Sequence, residues 1–181
     1  MIITISGIPG SGKSTIGKIL AQKLGYKYLS MGDLRGEIAL KHNLTIDELN
    51  KIGETESWTD KETDEYQKKL GATSDNLIVE GRLGFHFIPH SFKIFLNVGT
   101  KEAAQRAWQS RDSRPDEKRP KNLAEAEDNL LLRLASDKKR YLKYYQIDYT
   151  EPTNFDLFLD TTNLPIPEVV KIILDKIQAL R

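Results

Sequence analysis

The chain has 181 residues, a formal net charge of +1, three histidines and no cysteine. This length suits a single domain with a sizeable core. The near-neutral charge gives no reason to expect a nucleic-acid partner, and a sequence without cysteine excludes disulfides and thiolate metal sites. The sequence opens on a strand-like run instead of a charged leader followed by an apolar stretch, which predicts a cytoplasmic protein that does not associate with membranes.

The first motif lies between a strand and a helix. The isoleucine-rich segment 2–5 is typical of a buried strand, and apolar residues recur at helical spacing over 16–24. Between them, SGIPGSGKST contains the pattern G-x-x-x-x-G-K-[ST], whose backbone amides surround a phosphate while the lysine reaches the β- and γ-phosphates. In this pattern the hydroxyl after the lysine ligates Mg²⁺, which here is Ser14. The predicted ATP-binding residues are Gly7, Gly10, Ser11, Gly12, Lys13, Ser14 and Thr15.

Strands and helices alternate along the rest of the chain. Apolar runs predict further strands at residues 27–29, 76–80, 93–98 and 156–160. Helical spacing and caps predict helices at residues 31–39, 46–52, 60–70, from 100 onward, 123–145 and 167–180. The alternation indicates a three-layer α/β/α P-loop NTPase fold in a single domain spanning residues 1–181, with a central parallel sheet of about five strands.

Charged residues follow two of these strands, at the sheet edge where ligands of parallel sheets bind. After residues 77–79, Glu80 suits a water-mediated contact with Mg²⁺ and Arg82 suits a bidentate contact with a phosphate. A salt bridge between these two residues is the alternative. After the second strand, Asp33 and Arg35 are candidate substrate-binding residues, although an acidic residue in a first helical turn also suits the helix dipole.

Three charged residues share one face of the long helix. Arg133, Asp137 and Arg140 are spaced i, i+4 and i+7. A carboxylate can accept from the exocyclic amine of cytosine, while arginines can donate to ring acceptors or to a phosphate. Ion pairing along a solvated helix gives the same spacing, and spacing alone favours that interpretation.

Residues 106–121 contain six basic residues and two prolines. A basic lid that closes over both substrates would neutralise the migrating charge and exclude water, as phosphoryl transfer requires. A solvated loop is the alternative. On the lid interpretation, residues 111–122 form the lid, residues 31–71 form the acceptor-binding region, and Arg106 and Arg111 are the basic residues expected to act.

The motifs now described resemble those of the cytidylate kinase family of nucleoside-monophosphate kinases, above all its short archaeal-type members. The resemblance covers nearly the whole length and rests on MIITISGIPGSGKST, LGYKYLSMGDLRGEIA, LIVEGRLG, KIFLNV, RLASDKKRY and YYQIDYTEPTNFDLFLDTTNLPIPEVV. It implies a phosphate transfer from Mg-ATP to CMP or dCMP. A kinase for another small acceptor and a regulatory nucleotide-binding module are the alternatives, and the oligomeric state stays open.

The resemblance also implies roles for individual residues. In the family, the helix motif R-x-x-x-D-x-x-R contacts the monophosphate and the cytosine. Among the predicted catalytic residues, the resemblance implies Lys13, Arg82 and Arg133, while Arg111 follows from the lid interpretation. The predicted acceptor-binding residues are Asp33, Arg35, Arg82, Arg133, Asp137 and Arg140, of which the resemblance implies the last four. One departure concerns the second strand: Gly36 stands where relatives carry an arginine, and Arg35 lies one residue early, about 100° around a regular helix.

Overall fold

A central sheet with five parallel strands organises the computed structural model, which describes residues 1–110 and 119–180. The strands are β1 (Ile2–Gly7), β2 (Lys27–Ser30), β3 (Leu77–Glu80), β4 (Phe92–Asn97) and β5 (Leu157–Asp160). Their order across the sheet is β2-β3-β1-β4-β5, so β1 lies at the centre between β3 and β4. The predicted sheet and fold class are confirmed.

Helices cover both faces of the sheet. In the described ranges they are α1 (Lys13–Leu24), α2 (Met31–Lys41), α3 (Ile46–Gly53), α4 (Trp58–Thr73), α5 (Gly84–Phe87), α6 (Thr100–Gln109), α7 (Leu123–Tyr145) and α8 (Ile166–Gln178). None of these helices is both long enough and apolar enough to cross a lipid bilayer.

Two helices differ from the sequence prediction. Helix α4 begins at Trp58, before the predicted cap Thr59, because the Thr59 hydroxyl bonds to the carbonyl of Glu56 instead of capping a following amide. Helix α5 was not predicted, since its four residues are too few to show a helical period.

The core consists of two layers, one on each face of the sheet. On one face Ile3, Ile5 and Ile94 pack against the apolar faces of α1 and α8. On the other face Phe95 packs with side chains of α6 and α7, among them Tyr141. Because both faces are covered, β1 is buried along its whole length, including the polar residues Thr4 and Ser6. The loops at the carboxyl ends of the strands remain available for ligands.

Candidate active site

The loop between β1 and α1 has the backbone that a phosphate site requires. Gly7 and Gly10 adopt positive φ angles of 149° and 76°. A Cβ at Gly7 would lie 2.2 Å from the carbonyl oxygen of Leu96, so only glycine fits there. The loop ends at Gly12, the N-cap of α1, where the free amides and the helix dipole favour an anion.

The predicted ATP-binding residues all lie in this loop and in the first turn of α1. Ser11 and Lys13 are buried, whereas Thr15 is exposed. The Lys13 ammonium donates to the carbonyl oxygen of Ile8 at 2.7 Å, so it lies across the loop. This arrangement places a cation beside the space in which a bound phosphate would lie.

Glu80 connects the phosphate loop to the neighbouring strand. Its Oε2 accepts from Ser14 Oγ at 3.2 Å, from Tyr28 at 3.2 Å and from Ser30 Oγ at 2.9 Å. Burial alone would raise the pKa of Glu80, but the charges of Lys13 and Arg82 and the hydrogen bonds from Ser30 and Tyr28 lower it below its ordinary value. The ionised carboxylate and the Ser14 hydroxyl are oxygen ligands of the kind that Mg²⁺ prefers, so these residues fit a metal-nucleotide site.

A cleft opens beside Glu80, between α2, α4, α7 and the loop after β3. Arg82 and the three predicted residues of α7 line it together with Arg35. The cleft therefore brings together most of the residues predicted to bind the acceptor. Asp33 is exposed in the first turn of α2 and does not line the cleft. Its main-chain N–H donates to Ser30 Oγ, the N-cap of that helix, at 3.1 Å.

Ion pairs run across the cleft from one side to the other. Asp137 accepts from Arg82 Nε at 3.0 Å and from Arg140 Nη2 at 2.6 Å. Arg140 Nη1 also donates to both carboxylate oxygens of Asp60, at 2.7 and 2.8 Å, and Asp60 accepts in addition from Arg35 Nη1. Three guanidinium groups thus share two carboxylates, and Arg133 adds a fourth guanidinium to the lining of the cleft. Among the described residues, Arg82 forms its salt bridge with Asp137 and not with Glu80, which was the alternative interpretation.

The pKa of Asp137 reflects this arrangement. Burial opposes ionisation of the carboxyl group, but the charges of Arg82, Arg140 and Arg133 outweigh it and lower the pKa to about 2. Both oxygens of Asp137 already accept from arginines, so the direct contact with cytosine that the resemblance implies stays a prediction. Arg133 is half-buried in the cleft lining.

Arg35 reaches the cleft despite its early position in the sequence. Its Nε donates to Asn50 at 3.2 Å and its Nη1 donates to the carbonyl of Thr59 at 2.8 Å. Helix α2 begins directly after β2, with Ser30 as its N-cap, which sets the rotation that turns Arg35 inward. An arginine at position 36 is therefore not needed to place a guanidinium in this cleft.

The basic segment after α6 is described only in part. Arg111 lies outside the described residues, as does most of the predicted lid. Arg106 lies near the phosphate loop: it donates to the carbonyl of Thr161 at 3.0 Å, and the Thr161 hydroxyl donates to the carbonyl of Ser11 at 3.2 Å. Arg106 is thus on the nucleotide side of the sheet edge.

Sequence reasoning missed Asp60. It lies in a charged segment of α4 in which acidic residues are frequent, so its identity alone carried no signal. A weaker signal exists in the spacing, because Asp60, Thr63 and Gln67 fall on one helical face. The structure shows that all three of these side chains are buried. A polar stripe at the spacing usual for apolar residues indicates a buried polar site.

A phosphate loop after a central strand, beside a cleft lined by four arginines on the same sheet edge, is the arrangement of a P-loop kinase. The chain belongs to the cytidylate kinase-like family, whose sequence model matches residues 2–163. It is therefore an ATP-dependent phosphotransferase of the nucleoside-monophosphate kinase class. Kinases of this class take ATP, generally with a divalent metal ion, and a small phosphate acceptor.

Curated relatives agree with this assignment, and a solved structure shares the fold. The chain is 37% identical over 175 residues to a cytidylate kinase of Sulfurisphaera tokodaii, covering 96% of this chain and 93% of the relative. It is 34% identical to a cytidylate kinase of Archaeoglobus fulgidus, covering 98% and 95%. A shikimate kinase from Acinetobacter baumannii superposes with a TM-score of 0.61 at 19% identity, covering 99% of this chain and 94% of that one, and shares the fold.

Proposed function

We propose that this protein transfers the γ-phosphate of Mg-ATP to CMP or dCMP, giving ADP and CDP or dCDP. The observation that carries the proposal is the position of Glu80. It accepts from Ser14 of the phosphate loop and also lines the arginine-containing cleft, so the donor and acceptor sites share one carboxylate. The names of the curated relatives favour a cytidine nucleotide as the acceptor.

The transfer is a direct in-line displacement. An oxygen of the CMP phosphate attacks the γ-phosphorus as the bond from that phosphorus to the β,γ-bridging oxygen breaks, and ADP leaves with the electron pair. The acceptor is already anionic, so no covalent intermediate with the enzyme is needed, and catalysis consists of positioning and charge neutralisation.

Each of the site residues has a distinct role in this reaction. Lys13 neutralises the β- and γ-phosphates, while Arg82 and Arg133 hold the acceptor phosphate. Mg²⁺, bound by Ser14 directly and by Glu80 through water, would supply further charge neutralisation on the phosphates of ATP. Arg140 and Asp60 keep the arginines of the cleft in place through their ion pairs.

Measuring ADP formation with CMP, dCMP, UMP and AMP supplied separately tests the proposal. We expect strong stimulation by CMP or dCMP, weaker stimulation by UMP, and none by shikimate, the molecule bound in the structurally similar kinase. A Lys13→Met variant serves as the inactive control. ADP release that no nucleoside monophosphate stimulates would refute the proposal.

A further inference from the structure

One polar atom of the acceptor cleft lies outside the ion-pair network. Gln67 on α4 lines the cleft, and 3% of its surface is exposed. Its Oε1 has no hydrogen-bond partner among the described residues, whereas its Nε2 donates to the carbonyl oxygen of Thr63 at 3.3 Å. Buried side-chain oxygens in folded proteins have a partner in the large majority of cases. An unpaired oxygen in the wall of a ligand cleft therefore indicates a contact with the ligand.

The orientation of the Gln67 amide is fixed by its surroundings. The carbonyl of Thr63 can only accept, so the amide must direct its NH₂ group towards that oxygen and its Oε1 away from it. Rotating the amide by half a turn would place two acceptors against each other. Oε1 is buried and lies next to two glycines, since a Cβ at Gly81 or at Gly84 would be 3.8 Å from it. Neither of these two residues places a side chain against the oxygen.

The other unpaired atoms of the cleft are donors. Arg35 Nη2 and Arg140 Nε are buried and have no hydrogen-bond partner in the part of the chain that the structure describes. One acceptor and two donors complement the hydrogen-bonding edge of cytosine, which presents an amino group and two acceptors. Uracil presents a carbonyl oxygen in place of the amine and an N–H in place of the ring acceptor. Its carbonyl oxygen would face the Gln67 acceptor, and its N–H would face an arginine donor.

From these contacts, and resting on the proposed function, we propose that Gln67 determines base specificity by accepting a hydrogen bond from the 4-amino group of the acceptor nucleotide. Two carboxylates of the cleft already accept hydrogen bonds from neighbouring side chains. Both oxygens of Asp137 accept from arginines, and Asp64 accepts from the hydroxyl of Tyr145. The Oε1 of Gln67 is the acceptor of the cleft lining that is both buried and without a hydrogen-bond partner among the described residues.

A nucleotide that lacks only the 4-amino group isolates this contact. The wild-type enzyme and the variant Gln67→Met are each assayed with CMP and with the 5′-monophosphate of 2-pyrimidinone riboside, in which hydrogen replaces the amine. Methionine has nearly the shape of glutamine and no strong acceptor. We expect the wild type to prefer CMP about 10-fold or more in kcat/KM, and the variant to show a preference below about threefold. The kcat/KM for the analogue should be nearly equal in both proteins.

Gln22→Met is the matched control, because Gln22 is exposed on α1 and the same substitution there should leave the preference unchanged. ATP affinity and thermal unfolding show whether each variant is folded. Should Gln67→Met not fold, Gln67→Asn withdraws the amide by one carbon and should reduce the preference in the same way.

The possible outcomes separate this inference from the proposed function. Suppose that the wild-type enzyme phosphorylates CMP and that a folded Gln67 variant keeps the full preference for CMP over the analogue. This result overturns the role of Gln67 and leaves the kinase assignment intact. A wild-type enzyme that phosphorylates neither pyrimidine nucleotide refutes the proposed function itself, and the base contact with it.

Discussion

The ion pairs of Asp60 allow a quantitative prediction. This carboxylate accepts from two arginines, and the side chains of Asp60 and Arg140 are only 7% and 1% exposed. The substitution Asp60→Asn keeps the size of the side chain but removes the charge, and leaves both guanidinium groups buried with less compensation. Removing one partner of a buried ion pair costs about 3–5 kcal/mol. For a domain of this length that corresponds to a fall in Tm of about 6–20 °C.

Thermal and urea unfolding measure this change, and Glu62→Gln is the control. Glu62 is an exposed acid on the same helix, where we expect a change below about 0.5 kcal/mol. Because Asp60 also holds Arg35 and Arg140 at the cleft, the KM for the acceptor should rise several-fold while the KM for ATP stays constant. A loss of stability below about 1 kcal/mol in Asp60→Asn would show that these ion pairs do not organise the cleft.

Three further predictions concern single residues. Lys13→Met should lower kcat by about 10²–10³, measured as CMP-stimulated ADP formation, because a preorganised cation is lost from the phosphates. Gly7→Ala should abolish nucleotide binding in a fluorescence titration, since its Cβ would lie 2.2 Å from a carbonyl oxygen of β4. Burial raises the pKa of Asp64 to about 6, so ionisation of this group destabilises the fold as the pH rises from about 4 through 6. Asp64→Asn should therefore increase Tm relative to the wild type at pH 8, by a difference that shrinks towards pH 4.

The phosphate loop could be predicted in detail because its signal is local. Ten consecutive residues specify the strand end, the glycines with positive φ and the helix start. The cleft could be predicted only in part, because its contacts join distant parts of the chain. Arg82 and Asp137 are 55 residues apart, and Asp60 and Arg140 are 80 apart. Sequence spacing placed Asp137 and Arg140 on one face but could not identify their partners.

The placement of the Arg35 and Gln67 side chains illustrates the same limit. The position of Arg35 depends on the residue at which α2 begins, and helix boundaries are poorly defined by sequence. Gln67 is one polar residue in a polar helix, and its burial follows from the packing of α4 beside the loop after β3. In both cases the decisive information is tertiary.

The order of the strands has a consequence for how this enzyme could change during evolution. The phosphate loop follows β1, and the loop that carries Arg82 follows β3, the strand hydrogen-bonded to β1 in parallel register from Ile2 opposite Leu77 to Ile5 opposite Glu80. Adjacent strands are about 4.8 Å apart, whatever side chains they carry. Main-chain hydrogen bonds thus fix the spacing between the strand that leads into the phosphate loop and the strand that leads into the Arg82 loop. Substitutions in helices α2, α3 and α4 can change the lining of the acceptor cleft without altering that spacing.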